Sequence, residues 1–526
     1  MIDNTDLNSK VKSGTIWTFA AHFISKSLSL IVGVVLARIL SPSDFGVVAV
    51  ALVVWQLIMV FGATGVGSKL IQQQEHFEHY ATAAFWLNIA VACILAIIAV
   101  SLSPLASIFY ETPLIKPIIF ILALGLLITS LGNTHATLLS KEMAFKGLAF
   151  IEVSTVIISN LITLAMVLTG FGVWSLVIPN LCITPIRVFA LWRICPWRPS
   201  LKLEIQYWRE IFNFGKYVFG TSVLRYMNIN GDFLIIGKIL GTEALGLYSF
   251  GYNLASWPVE NLVWVASRVT FPAFSKLQQE VSKMRVLYLG FIENISLISF
   301  PMFIGLIFVA DDLIPLVYGE KWIPAILPLK ILISFMVIRS ISSIGGQVLL
   351  ALGRPSIEFK FNALQVVPLI IVVLIGAQFG IVGVALGMSI VLGTFSFMFL
   401  RLTAKAMDLS IASTARTISP AFICSAIMGV CVYMLSIRLH AIELGEGYVV
   451  LASVALGILV YILSMFILFR PVARKTLSLY SGMLFSRPLT SPGGEAHDSI
   501  GTKQMEESEG TEPEPPYVVK ADTRKI

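Results

Sequence analysis

Charged side chains are scarce in this chain. Only 13% of its 526 residues are Asp, Glu, Lys or Arg, while 57% are hydrophobic; ordinary soluble domains carry about 25% charged residues. A water-soluble globular protein is thereby excluded. About 300 apolar positions, at about 20 per spanning helix, can supply more than ten spans. The alternating pattern of a membrane barrel is missing as well, because runs such as Ile89 to Val100 and Ile370 to Ile375 are nearly or wholly apolar without alternation. Cysteine is sparse: Cys93, Cys182, Cys195, Cys424 and Cys431 are odd in number and show no C-x-x-C spacing, so they read as small buried hydrophobes and not as a disulfide or zinc framework. No small-residue cleavage site follows the first apolar run, so that run is expected to remain as a span.

Other absences bear on function. Gly62-Ala-Thr-Gly-Val-Gly-Ser-Lys69 superficially looks like a phosphate-binding loop, but its lysine does not directly follow the last glycine. Glu75-His-Phe-Glu-His79 offers two histidines without a further ligand, and no metal or other cofactor is expected. Nothing points to nucleic acid. The outward connections are too short for a folded extramembrane domain, which argues against a membrane glycosyltransferase, polymerase or ligase and for a non-enzymatic protein.

What is present is a succession of apolar segments. Helices are expected near 14–38, 44–68, 80–102, 114–138, 149–169, 172–194, 212–240, 246–270, 286–310, 322–350, 358–378, 381–404, 414–438 and 447–470, fourteen in all, making an all-α polytopic membrane protein. With the N-terminus inside, 27 of the 37 Lys and Arg fall on the cytoplasmic side, which places both termini in the cytoplasm. Beyond residue 470 the chain is rich in Pro, Gly, Ser and Glu and is expected to be a disordered tail.

An internal repeat organises these spans. Ala37-Arg-Ile-Leu-Ser-Pro-Ser-Asp-Phe-Gly46 aligns with Gly237-Lys-Ile-Leu-Gly-Thr-Glu-Ala-Leu-Gly246, Ser68-Lys-Leu recurs as Ser275-Lys-Leu, and Phe171-Gly172 recurs as Phe379-Gly380. Residues 1–205 and 206–405 are therefore expected to be two six-helix bundles, 406–470 two additional helices, and 471–526 the tail. Six crossings is an even number, so the halves are parallel copies about an axis along the membrane normal, with a cleft between them at mid-depth.

Polar residues inside the spans form a pattern. Thr18, His22, Lys26, Ser29 and Gly33 share one face of the first helix, and Thr221, Arg225, Asn228 and Asp232 share one face of the seventh. Arg339 adds a third cation in the tenth span, and Glu260 a second acid in the eighth. Charges at helix centres are costly and usually face a wet cavity, although Arg225 and Asp232 can also serve as structural links between helices. Lys26, Arg225 and Arg339, with Asn228 and His22, are the candidates for holding an anionic head group such as a pyrophosphate, for which arginine offers forked donors. Asp232 and Glu260 are the candidates for a coupling proton or sodium ion.

Several segments carry a resemblance to a known family: Leu36-Ala-Arg-Ile-Leu40 followed by Asp44-Phe-Gly46, then Phe271-Pro-Ala-Phe-Ser-Lys-Leu-Gln278, Tyr318-Gly-Glu-Lys-Trp322, Leu352-Gly-Arg-Pro355 and Phe359-Lys-Phe-Asn362. Over roughly residues 10–470 the chain resembles the Wzx-type polysaccharide flippases of the multidrug/oligosaccharidyl-lipid/polysaccharide (MOP) exporter superfamily, in particular those for colanic acid and related exopolysaccharides. The resemblance implies a MATE-like fold of fourteen helices in the bacterial inner membrane. It also implies translocation of undecaprenyl-pyrophosphate-linked oligosaccharide repeat units from the cytoplasmic to the periplasmic leaflet by alternating access, for exopolysaccharide, capsule or O-antigen assembly. The implied partners are the lipid-linked oligosaccharide, membrane lipids, and polysaccharide polymerase and export machinery. Two alternatives stay open: a cation-coupled drug exporter and a peptidoglycan-precursor lipid flippase. Replacing Lys26 and Arg225 together by alanine separates the drug exporter from the others, since export of an anionic lipid-linked cargo should fall steeply while efflux of a cationic dye by a drug exporter should not change.

Overall fold

The computed structural model describes residues 4–62, 66–67, 70, 77–142, 144–202, 204, 207–442 and 444–475, with side chains described over the same ranges except 4–20, 209–219, 221 and 264–269. The side chains of Thr18 and Thr221, the 471–526 tail from residue 476 on, and parts of the 62–69 and 75–79 segments lie outside the described residues.

The helices are α1 (Asn4–Ile39), α2 (Pro42–Val60), α3 (Phe77–Phe109), α4 (Ile115–Lys141), α5 (Phe145–Leu168), α6 (Trp174–Ile194), α7 (Trp208–Ile239) and α8 (Gly241–Lys276). They continue with α9 (Val281–Tyr318), a 3₁₀ turn (Glu320–Ala325), α10 (Ile326–Ser342), α11 (Gly345–Ala351), α12 (Pro355–Ala377), α13 (Gly380–Ala406), α14 (Ile411–Ala441) and α15 (Glu446–Leu468). A helix lies at every expected position. Among the described residues, twelve segments are long and apolar enough to cross a membrane, with the turn, α10 and α11 counted as one. The remaining two of the fourteen expected spans correspond to α7 and α8, which carry the polar residues Arg225, Asp232 and Glu260.

Local chemistry explains several boundaries. Ser41 caps α2: its backbone N–H donates to Asp44 Oδ2 (2.8 Å), and its Oγ accepts from Asp44 N–H (3.2 Å), with Pro42 in the first turn. The expected 44–68 helix overran, because α2 stops at Val60 and the chain turns at Phe61 and Gly62. The expected 322–350 span is broken at residues 343–344 between α10 and α11. Several helices run past the hydrocarbon-length windows, as α9 does to reach Asp311 and Asp312, since a helix needs apolar residues only where it meets lipid. All five cysteines are free, and Cys93 and Cys182 are exposed where burial was expected. Large apolar side chains such as Ile97, Ile108, Phe150 and Leu168 are also exposed, as a lipid-facing surface requires.

Packing repeats with the sequence. In the first half α1 packs on α5, α3 on α4, and α6 on both α4 and α5; in the second, α7 packs on α12, α9 on α10, and α13 on both α10 and α12. α14 and α15 pack on α9 and on each other. Across the halves, α2 packs along α8.

That crossing is reciprocal. A Cβ on Gly46 would lie 1.7 Å from the carbonyl oxygen of Thr242, and a Cβ on Gly246 would lie 1.8 Å from that of Pro42. Thr242 and Gly246 are the repeat equivalents of Pro42 and Gly46, so the same patch on each helix meets its own copy, as a two-fold axis demands. The surrounding contacts join the same end of the bundle. Trp322, fully buried, donates Nε1–H to Ala37 O (2.9 Å), Lys321 Nζ reaches Arg38 O (2.9 Å) and Leu40 O (2.6 Å), and Arg38 Nε donates to Val317 O (2.8 Å). Phe45 and Phe250 pack on the Trp322 ring at centroid distances of 5.2 and 4.2 Å.

Gly46→Val is expected to force α2 and α8 apart. Ser43 Oγ and Thr242 Oγ1 are 3.3 Å apart, so cysteines at these two positions should cross-link rapidly in the parent chain and at least tenfold more slowly beside Gly46→Val. Equal rates would contradict the close approach.

Candidate functional site

The polar face of α7 opens onto a cavity of about 780 Å³ in the second half of the chain. Arg225 and Asn228 come from α7, Arg339 from α10, Gly346 from α11, Glu358 and Asn362 from α12, and Phe395 and Phe399 from α13. Each of the four charged or amide positions on α7 and α12 follows from helical spacing: Arg225 and Asn228 are three apart, and Glu358 and Asn362 four apart. The break between α10 and α11 at residues 343–344 lies one turn after Arg339, and irregular backbone at membrane depth is tolerated where it lines such a space.

Contacts fix some of these groups and leave others available. Asn228 Nδ2 donates to Asn362 O (3.0 Å), while its buried Oδ1 has no hydrogen-bond partner among the described residues. Arg339 Nη1 donates to Tyr252 Oη (3.2 Å). Arg225 is exposed to the cavity, and neither it nor Glu358 forms an ion pair among the described residues. Gly346 makes room for the Glu358 carboxyl, since a Cβ there would lie 2.9 Å from Oε1. Two guanidinium groups against one carboxyl leave the lining with an excess of positive charge.

The expected site residues thus separate. Arg225, Asn228 and Arg339 share one cavity, whose lining comes wholly from the second half. Lys26 is exposed on α1 outside that lining. His22 bonds Asn261 Oδ1 at 3.0 Å and so bridges α1 to α8, with Glu260 next to it on the exposed side of α8. Asp232 is fully buried away from the cavity, where Tyr248 donates its hydroxyl hydrogen to Oδ2 (2.9 Å) and Phe233 its N–H to Oδ1 (3.0 Å). Tyr248 stacks at 6.3 Å on Tyr252, the partner of Arg339, so an aromatic pair separates the buried acid from the cavity-facing cation.

Glu358 and Asn362 were missed in the sequence. Their signal was the stepping of Glu358, Asn362 and Gln365 by four and three, one polar face at the start of α12.

Bundle, repeat and charged cavity define a multi-pass helical membrane protein with the fold of the MOP transporters. The fold is similar to that of the lipid II flippase MurJ in an inward closed conformation, with a TM-score of 0.72 at 17% identity over 86% of this chain and 99% of that one. It is also similar to an inward-facing MATE-family multidrug transporter of the MOP superfamily, with a TM-score of 0.59 at 13% identity over 73% and 94% of the two chains.

Residues 35–327 match the family described as polysaccharide biosynthesis protein, and the chain belongs to that family. It is 31% identical over 392 residues to the lipopolysaccharide biosynthesis protein WzxC of Escherichia coli (strain K12), covering 73% of this chain and 79% of that protein. It is 26% identical over 401 residues to the teichuronic acid biosynthesis protein TuaB of Bacillus subtilis (strain 168), covering 76% and 83%.

Removing the donor to Asp232 tests the buried network. Tyr248→Phe leaves the carboxyl with one fewer hydrogen bond in a dry setting, a loss of about 1.5–3 kcal/mol if the carboxyl is ionised. The melting temperature of the detergent-solubilised protein should fall by several degrees, and an unchanged value would show that this bond does not hold α7 to α8.

Proposed function

We propose that this protein is a flippase that carries undecaprenyl-pyrophosphate-linked oligosaccharide repeat units from the cytoplasmic to the periplasmic leaflet of the bacterial inner membrane. The observation that carries the reading is the convergence of Arg225 and Arg339, with Asn228, on one cavity in a chain of the polysaccharide biosynthesis family. A pyrophosphate diester carries two negative charges and offers non-bridging oxygens in the spacing that a forked guanidinium matches. Charge-assisted hydrogen bonds contribute about 1.5–3 kcal/mol each, so two arginines suffice to hold the head group while the polyprenyl tail stays in lipid.

The two repeat-related halves rock against each other, and the α2–α8 contact seals the end of the bundle away from both cytoplasmic termini when the cavity faces inward. Separation of that contact opens the outer side. An inside-negative potential acts on a dianion in the outward direction, and two charges crossing it gain about 4.6 kcal/mol per 100 mV. Asp232 and Glu260 are the groups assigned to any coupling proton or sodium ion. The released repeat unit passes to the polymerase and export machinery. A cationic drug is disfavoured by the excess of guanidinium groups, and a peptidoglycan precursor would present the same pyrophosphate with a different head group.

Deleting the gene and analysing lipid-linked saccharides tests the reading. Repeat units are expected to accumulate on the inner leaflet, and complementation by an Arg225→Ala, Arg339→Ala double variant should restore less than a tenth of the surface polysaccharide restored by the parent chain. Lys26→Ala should have the smaller effect. Altered drug accumulation with normal polysaccharide would instead support an exporter, and accumulated peptidoglycan precursor would support the other flippase.

A further inference from the structure

The duplication extends to the cavities. A second space, of about 720 Å³, lies in the first half between α1, α4, α5 and α6, the repeat equivalents of α7, α10 with α11, α12 and α13 around the first cavity. The pairing holds at single positions. Ser29 and Asn228 are separated by the same 199 residues as Lys26 and Arg225, while Leu148 pairs with Pro355 and Thr155 with Asn362 at a separation of 207, and all six cavity residues line their respective spaces.

The two linings have diverged in chemistry. The second-half cavity carries two arginines, one glutamate and four phenylalanines. Among the described residues, the lining of the first-half cavity has no aromatic residue, one acid (Glu152), one base (Arg187), and a run of hydroxyls and amides. Its formal charge is balanced, so it has no preference for an anion. Several donors are already committed to backbone: Thr155 Oγ1 donates to Ile151 O (2.8 Å), Thr184 Oγ1 to Asn180 O (2.6 Å), Ser140 Oγ to Ala136 O (2.9 Å) and Asn160 Nδ2 to Val156 O (2.9 Å). The hydroxyl oxygens therefore present lone pairs to the cavity, and the lining is rich in acceptors.

A polar lining within a lipid-embedded bundle must be met by water or by a polar ligand. The volume is that of a small-molecule site, far above the roughly 30 Å³ share of one water. An acyl chain would strand the acceptors, and a dianion would face Glu152. A neutral ligand bearing many O–H donors satisfies the lining.

We infer that the first-half cavity is a second binding site, specific for the saccharide portion of the cargo, while its duplicated counterpart in the second half holds the pyrophosphate. This rests on the flippase reading and divides the cargo between two descendants of one ancestral pocket. Sugar identity is then read by Thr155, Asn160 and Thr184, and the phosphate cavity is indifferent to it.

The full-length protein in lipid nanodiscs can be titrated with two probes: undecaprenyl pyrophosphate without sugar, and the lipid-linked saccharide extracted from cells in which the gene is deleted. The parent chain should bind the glycosylated probe at least tenfold more tightly. Thr155→Val, Asn160→Leu and Thr184→Val combined, which remove acceptors at nearly constant volume, should abolish that difference through a loss confined to the glycosylated probe. If the triple variant is lost to misfolding, Asn160→Leu alone should reduce the difference at least threefold. Equal binding of both probes by the parent chain, or an undiminished preference in a folded variant, overturns the inference. Failure of Arg225→Ala, Arg339→Ala to weaken the sugar-free probe would overturn the pyrophosphate assignment instead, a separate outcome.

Discussion

An unpaired polar group is costly in the hydrocarbon layer, and this constraint shapes the molecule at every level. The backbone answers it by closing its hydrogen bonds within helices. Hydroxyls answer it by donating to carbonyls one turn back, as Thr155 and Thr184 do. Asp232 answers it with Tyr248 and its neighbour's amide. Arg225 and Glu358, which form no ion pair among the described residues, face a cavity. In a membrane bundle, polar side chains left available mark where water and cargo go.

Duplication gives the structure its second organising rule. The reciprocal approach of Gly46 and Gly246 needs two glycines, because a methyl group on either would overlap the other half's backbone. Around it the residues Arg38, Phe45, Lys321 and Trp322 tie the α1–α2 junction of one half to the end of α9 and the following 3₁₀ turn of the other. These are among the residues that carry the likeness to the polysaccharide flippases, while others of them, Pro355, Phe359, Phe361 and Asn362, line the second-half cavity. The two cavities differ from each other in the chemistry of their linings. Closure depends on backbone proximity, which a Cβ at either glycine would block, whereas the cavities hold asparagine in one half where they hold serine or threonine in the other, as Asn228 and Ser29 or Asn362 and Thr155 do.

The discontinuity after Arg339 and the crossing of α2 on α8 stand on opposite sides of this division. One loosens backbone next to the cavity, and the other removes side chains so that backbones can meet. A bundle built this way can be rigid at one end and accessible at the other, the asymmetry that alternating access requires.

Much of this was legible in the chain itself. Membrane residence, the positions of the helices and the repeat are written in composition and local periodicity, and the polar face holding Arg225 and Asn228 follows from the 3.6-residue turn. Boundaries such as the early stop at Val60 and the break at residues 343–344 were less visible, because a window of spanning length averages over the short runs Phe61-Gly-Ala-Thr-Gly65 and Ser342-Ser-Ile-Gly-Gly346. Which polar faces converge was settled only in three dimensions. Arg225 shares its cavity with Arg339 and Glu358, while Lys26, at the equivalent place in the repeat, lies outside it. A helix's periodicity determines which residues share a face, but the direction in which that face points depends on partners more than a hundred residues away.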